Sequence, residues 1–300
     1  MFHGMINVYK EKGYTSHDVV AKLRGICKQK KIGHTGTLDP DAVGVLPVCL
    51  GNATKLCDML TDKEKEYIAE FKLGITTDTQ DISGKVLEEK EIHVSKKQAE
   101  DTIMSFMGHY DQIPPMYSAL KVNGKKLYEL AREGKEVERK SRPVTIFEIE
   151  IMDEKFPEFM IRVRCSKGTY IRTLCHDIGQ KLGCGAVMTS LKRTKSGCFF
   201  VENAYGLDEI QKRSDDGTLQ SIIIPAEKMF ENLLAVEAEE SAGKALANGN
   251  QLKKGEYVTT EELKPEQQVR LYRYDGQFQG VYRYDARRKL LCPVQLFFGE

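Results

Sequence analysis

Gly33-His34-Thr35-Gly36-Thr37-Leu38-Asp39-Pro40-Asp41-Ala42-Val43-Gly44-Val45-Leu46-Pro47-Val48-Cys49-Leu50-Gly51-Asn52-Ala53-Thr54-Lys55 is the densest piece of chemistry in this chain. Its first part, residues 33–47, is rich in Gly, Thr, Asp and Pro and reads as a loop. The run then turns apolar. An Asp followed by Pro ordinarily serves as a helix N-cap or a turn residue. A loop carboxylate held by glycine-permitted backbone can also serve as nucleophile or base. From these residue types alone both readings of Asp39 stand.

Working outward, residues 5–9 (MINVY) read as a short strand. Ser16 then reads as the N-cap of an amphipathic helix with Val19, Val20, Leu23 and Ile26 inward. Residues 67–75 (YIAEFKLGI) and 159–165 (FMIRVRC) alternate as strands do. Residues 96–107 and 170–182 carry helical spacing. Residues 113–143 are polar and basic, with Gly124 and Gly134, and fit an excursion from the core. Near residue 230 the character changes. Residues 267–299 become strand-like, with alternation on both sides of Asp275-Gly276, a hairpin signal. The simplest division is 1–230 and a small β module at 231–300.

The chain has 300 residues, 41% apolar and 30% charged, which suits a folded protein and argues against disorder. No apolar run approaches the roughly 20 residues that span a bilayer. The start, MFHGMINVYKEKG, has no signal-peptide apolar stretch. The eight cysteines form no C-x-x-C pair, so zinc clusters are disfavoured and no metal is expected. Reduced thiols point to a cytoplasmic protein. The net charge of +1 conceals a strong unevenness. Residues 162–195 hold eight bases against Asp177 alone, 121–142 hold eight bases against four acids, and 202–240 hold ten acids against three bases. A basic stripe can present a strong local field, but from charge alone a solvated face is the reading to favour.

The common catalytic signatures are absent. The chain has no G-x-x-x-x-G-K-[ST], no G-x-G-x-x-G, no H-E-x-x-H and no G-x-S-x-G. The 33–55 stretch instead closely resembles the signature of the TruB family, the tRNA pseudouridine-55 synthases. Asp62-Lys-Glu-Lys-Glu-Tyr67 with Phe71-Lys-Leu-Gly74 resembles a second motif. Pro114-Pro-Met-Tyr-Ser-Ala-Leu-Lys121 with Gly124-Lys-Lys-Leu-Tyr128 resembles the family's insertion. Cys165 through Thr173, then Leu182 through Thr194, resembles a third. The resemblance covers about 1–230, and the tail is similar to the PUA domain of many members. One departure shows: where many relatives have Asp-Lys-Pro-x-Gly, this chain has Tyr9-Lys10-Glu11-Lys12-Gly13, without the stiffening proline.

The resemblance implies an α+β fold, with a mixed, mostly antiparallel sheet split by an RNA-binding cleft and a small β-rich PUA-like domain behind it. It implies isomerisation of uridine 55 in the T-loop of tRNA, with no cofactor. Asp39 matches the carboxylate at the anomeric centre, as glycosidic chemistry requires. Tyr67 matches the tyrosine that stacks on the flipped base, and Arg172 the arginine that pairs with the carboxylate, keeping it ionised and aimed. Tyr170 and Leu191 match the lining of the uracil pocket. His34 matches the histidine that enters the RNA loop, and Lys55 is expected to hold the active-site loop or a phosphate. Asp41 is expected to be solvated or to sit behind Asp39. The insertion at 113–143 resembles a mobile thumb, and 162–195 would line the cleft. The expected partner is the T-arm of tRNA, met by a monomer without guide RNA or membrane. Two rivals are a guide-RNA-dependent relative acting on ribosomal RNA and a non-catalytic RNA-binding protein on the same fold.

Overall fold

Alternation in KEYIAEFKL buries every second side chain over its whole length, and the segment forms the central strand β4, Lys65–Leu73. The computed structural model describes residues 1–122 and 124–297. Around β4 the chain places β1 (Gly4–Lys10), β2 (Ile32–His34), β3 (Val43–Leu50), β5 (Gly108–Gln112), β6 (Arg142–Lys155), β7 (Glu158–Cys165) and β8 (Ala186–Ser196). Their order is β1-β3-β8-β4-β7-β6-β5, with β2 added beside β3. Every neighbour along this path is antiparallel except β8 against β3. The sheet is therefore mixed and mostly antiparallel, as expected.

One face of β1–β3 is covered by α1 (Ser16–Ile26), whose Val19, Val20, Leu23 and Ile26 point inward as the helical spacing predicts. The N-cap is Thr15, one residue earlier than the sequence reading: Thr15 and Asp18 form a reciprocal capping box. Ser16 is drawn away because its hydroxyl is buried and bonded to the backbone of Leu38. Farther along the sheet, α2 (Lys96–Met104) and α3 (Ile171–Lys181) pack Ala99, Ile103, Leu174 and Ile178 against β4, β7 and β8. A further helix, α4 (Leu207–Asp215), joins α1 over β1.

Residues 33–47 are only partly loop. Glycines and Pro47 mask strand character there, and the true loop is 35–42, between β2 and β3. The segment between β5 and β6 leaves the sheet as expected. It carries a two-residue ladder, Lys121–Val122 with Lys125–Lys126, and a short helix, Leu127–Arg132, anchored by buried Leu127; Asn123 lies outside the described residues.

A second sheet follows, built from β9 (Leu234–Ala238), β10 (Leu252–Lys253), β11 (Tyr257–Val258), β12 (Gln268–Tyr272), β13 (Phe278–Asp285) and β14 (Leu290–Leu296). Asp275-Gly276 turns β12 into β13, with Gly276 at φ +80°. Residues 298 and 299 of the expected strand-like region lie outside the described residues. This sheet has its own core of Val236, Val269, Leu271, Tyr282 and Leu291. It meets the first through Phe230, Phe278 and Phe297, whose ring centroids lie 5.5–6.1 Å apart.

Candidate active site

The loop 35–42 has almost no regular structure, yet its backbone is tied down from four directions. Thr35 donates to Pro47 O at 3.1 Å, and Ala42 to Asp39 O at 3.1 Å. Leu38 N–H donates to Ser16 Oγ at 2.9 Å. Gly36 O and Thr37 O accept from Arg193 at 3.2 and 3.5 Å. Pro40 O accepts from Lys10 Nζ at 3.0 Å and from Gly13 N–H at 2.9 Å. Lys10 is fully buried, and its ammonium also donates to Glu11 O and Tyr14 O, at 3.0 and 2.6 Å. Burial pulls its pKa down to about 8, against the attraction of Asp39 and Asp41. Carbonyl coordination by Lys10 thus holds the turn whose stiffening proline is missing.

Asp39 projects from this fixed loop. Its Oδ1 lies 3.0 Å from Arg172 Nη2. Arg172 is buried in the first turn of α3. The same Nη2 donates to Tyr117 O at 2.7 Å, while Nη1 donates to Thr79 O at 3.4 Å and lies 3.7 Å from Asp81 Oδ2. The side chain of Asp39 keeps 36% of its surface accessible. Burial raises its pKa, Arg172 opposes that, and the Asp81 charge adds to the rise. Pairing therefore aims the carboxylate as expected, but it does not overcome burial, and the net direction is upward.

Tyr67 lies on β4, opposite Val163 of β7 and Arg193 of β8. Burial raises its pKa, with Arg193 pulling the other way, so the resting hydroxyl carries its proton. The residue is only 8% exposed, packed with Leu38, Ala69 and Leu191 in the core beneath the loop. Tyr170 caps α3, and its backbone N–H and C=O are both clamped by the Gln112 amide, at 2.8 and 3.0 Å. Its hydroxyl is raised by burial and eased by Ser118 and Arg172. His34 ends β2, with its ring centroid 5.3 Å from that of His17, and accepts from Gly36 N–H at 3.3 Å. Burial, then the His17 and Arg193 charges, hold its pKa at about 4, so it is neutral near pH 7. Asp41 is exposed.

Two predicted features require correction. Lys55 does not join this group. It follows β3 at the end away from the loop: seven strand steps at about 3.3 Å put Leu50 roughly 23 Å along the sheet from Val43, and Lys55 comes five residues after that. Its ammonium donates to Leu296 O at 2.7 Å, and its carbonyl accepts from Gln295 at 2.6 Å, so it docks the second sheet. The stripe 162–195 is not a bare cationic wall. Arg162 pairs with Glu150, Arg164 with Glu148 and Glu64, Lys167 with Asp62, and Lys195 with Glu64. Counting charge along one segment ignored the acids that neighbouring strands set opposite it.

Two residues escaped the sequence reading. Asp81 reaches Arg172 from the turn between two short strands, Ile75–Thr77 and Val86–Glu89. Arg193 is 1% exposed and donates to Val45 O at 2.7 Å besides gripping the loop. Gly44 makes that grip possible. It sits at φ +107°, and a Cβ there would meet Arg193 O at 2.2 Å, so only glycine lets β3 run this close to β8.

Residues 24–171 match the model of the TruB family pseudouridylate synthase N-terminal domain. Residues 172–231 match that of the tRNA pseudouridylate synthase B C-terminal domain. The chain belongs to the TruB family. The tRNA pseudouridine synthase B of Lachnoclostridium phytofermentans is 51% identical to it, over 98% of this chain and 99% of its own length. That of Alkaliphilus oremlandii is 42% identical over 99% of each. Among solved structures, a Cbf5-Nop10-Gar1 complex aligns with TM-score 0.71 at 28% identity, over 99% of this chain and 85% of that one. An H/ACA RNP bound to a substrate RNA containing 2′-deoxyuridine aligns at TM-score 0.70 and 26% identity, over 99% and 86%. In this TruB-family chain the raised Asp39 carries a kinetic consequence. If the carboxylate acts ionised, the single-turnover rate falls on the acid side around a pKa above the ordinary 3.8. A rate profile flat down to pH 4 would remove Asp39 as the titrating group.

Proposed function

We propose that this chain isomerises uridine to pseudouridine at position 55 in the T-loop of tRNA, without cofactor or guide RNA and as a single chain. The supporting observation is one accessible carboxylate, Asp39, held 3.0 Å from a buried guanidinium on a loop fixed at nearly every residue, in a chain 51% identical to a tRNA pseudouridine synthase B. The reaction breaks the bond from ribose C1′ to uracil N1 and rejoins C1′ to C5. No electrons leave or enter, so no redox group is needed. Asp39 meets the sugar either at C1′ as nucleophile or at C2′–H as base, and both roles need the ionised form. A loop fixed before substrate arrives reduces the ordering that the reaction would otherwise require.

The flipped uracil lies against Tyr67, Tyr170 and Leu191, and neutral His34 fills the space the base leaves in the RNA. Extruding a base costs a few kcal/mol, which stacking worth about 1–3 kcal/mol offsets in large part. The second sheet is a PUA-like RNA-binding unit from 231 onward. The cysteines among the described residues are all free, which suits the cytoplasm. Three of the insertion's cations are engaged at rest, Lys125 and Lys135 with Glu133 and Arg139 with Glu136. Such exposed pairs are worth about 0–1 kcal/mol each, so phosphates can replace them.

The deciding assay is mapping of pseudouridine in an unmodified tRNA transcript incubated with the purified chain alone. Conversion at the T-loop uridine is expected. A chain that binds tRNA but converts nothing without a guide RNA would favour the guided reading. Tyr67 separates two contributions. Tyr67→Leu loses stacking and turnover together. Tyr67→Phe keeps the ring but loses the hydroxyl beside Arg193, and it is expected to bind tRNA normally and stall before the C5 proton leaves. Full turnover by the Phe variant would reduce Tyr67 to a stacking platform.

A further inference from the structure

A separate group of cations without acidic partners lies outside the 162–195 stripe. Arg24, Lys28, Lys30 and Lys31 rim a groove of about 850 Å³ with Phe2 among its lining residues. All four are exposed, and among the described residues none of them forms an ion pair. Arg24 donates to Lys30 O, and Lys31 only to Asn52 Oδ1 at 3.4 Å. The acidic end of α4 touches the same turn, where Ser214 Oγ donates to Ile26 O, yet Asp215 and Asp216 pair with none of the four cations.

The groove is held in shape. Gln29 is buried, and its amide accepts from Phe2 N–H at 2.8 Å and donates to Phe2 O at 3.1 Å. Gly51 N–H donates to Lys31 O at 2.8 Å. Lys28 follows the C-cap of α1 at φ +50°. That left-handed position favours glycine, and a lysine held there is strained. The groove also has a direction. Lys31 leads straight into β2, which ends at His34 three residues on, about 10 Å at strand spacing.

We propose that this groove grips the phosphodiester backbone of the RNA substrate, as an anchor separate from the insertion and from the site around Asp39. The inference rests on the reading that the substrate is RNA. Phosphates suit four unpaired cations, and Phe2 adds an aromatic surface for an unstacked base. An acidic protein is the competing occupant.

The test uses Lys28→Gly and the double change Lys30→Ala with Lys31→Ala in the full chain. Binding of full-length tRNA is measured against salt, alongside single-turnover conversion at saturating tRNA and thermal melting. Each lost phosphate contact flattens the log K against log salt slope by roughly 0.7–0.9. Lys28→Gly is expected to flatten it by about that much while melting at or above the wild-type temperature, because strain is relieved as charge is lost. The double variant should flatten it by about 1.5, with conversion at saturation unchanged. Unchanged slopes beside a wild type that converts tRNA would overturn the groove and leave the proposed reaction standing. Weakened binding with a lowered melting temperature in Lys28→Gly would also overturn it, in favour of a structural lysine. A wild type that converts no tRNA uridine would overturn the reaction instead, while the slopes still decide whether the groove holds RNA.

Discussion

Asp39→Asn is expected to lose on the order of a thousandfold or more in turnover while binding tRNA within a few-fold of wild type. Asparagine keeps the shape and still offers Arg172 an oxygen at the 3.0 Å contact. What disappears is the negative charge and the lone pair it makes available at the sugar. Affinity should survive because phosphate contacts supply most RNA binding. Single-turnover conversion and filter binding on one transcript read both quantities. Near-normal conversion by the Asn variant would remove Asp39 from the chemistry, however well it is placed.

Arg193→Met should damage fold and rate together. The guanidinium is 1% exposed and donates to Val45 O, Gly36 O and Thr37 O. Methionine fills much of the volume but leaves the buried Val45 carbonyl unpaired, at about 1–3 kcal/mol, and releases the less buried Gly36 and Thr37 carbonyls at a smaller cost. Allowing for relief from burying a charge, a net loss of about 2–4 kcal/mol is expected, read from the denaturation midpoint. The same change frees the loop that carries Asp39. A misplacement of about 1 Å costs roughly a hundredfold in rate. Arg193→Lys should recover part of the stability and little of the rate, since an ammonium cannot reach all three carbonyls from one side chain. A Met variant with the wild-type midpoint and rate would show that the other ties suffice.

The sequence reading reached the parts of this molecule that local chemistry determines. Alternation placed β4 and β7, helical spacing placed the buried face of α1, and Asp275-Gly276 located a turn. Asp39 was legible because glycines, an Asp-Pro pair and a family pattern converge on it. The misses share one cause, which is information carried between segments far apart in the chain. Asp81 meets Arg172 at a separation of 91 positions, and Arg193 meets the 36–37 carbonyls at a separation of 156 or more. Neither pairing leaves a mark on the local pattern of either partner. Lys55 failed for the converse reason: it is near Asp39 in sequence, but a full strand separates them. The charge of 162–195 was counted correctly, and its acidic partners sit on β6 and just before β4. Ser16 shows the smallest version of the effect, because a buried contact with Leu38 outweighed a capping preference.

Arg172 Nη2 serves both the Asp39 carboxylate and the carbonyl of Tyr117, at the root of the insertion. If the insertion moves when RNA docks, its base cannot shift without altering the hydrogen bond that sets Asp39. Admission and arming would then be mechanically one event. An RNA that docks without seating the insertion is then expected to leave the carboxylate mis-set and to react slowly while still binding. Selectivity in such a machine is a property of timing, and near-cognate RNAs should act as occupants that delay the enzyme without being changed by it.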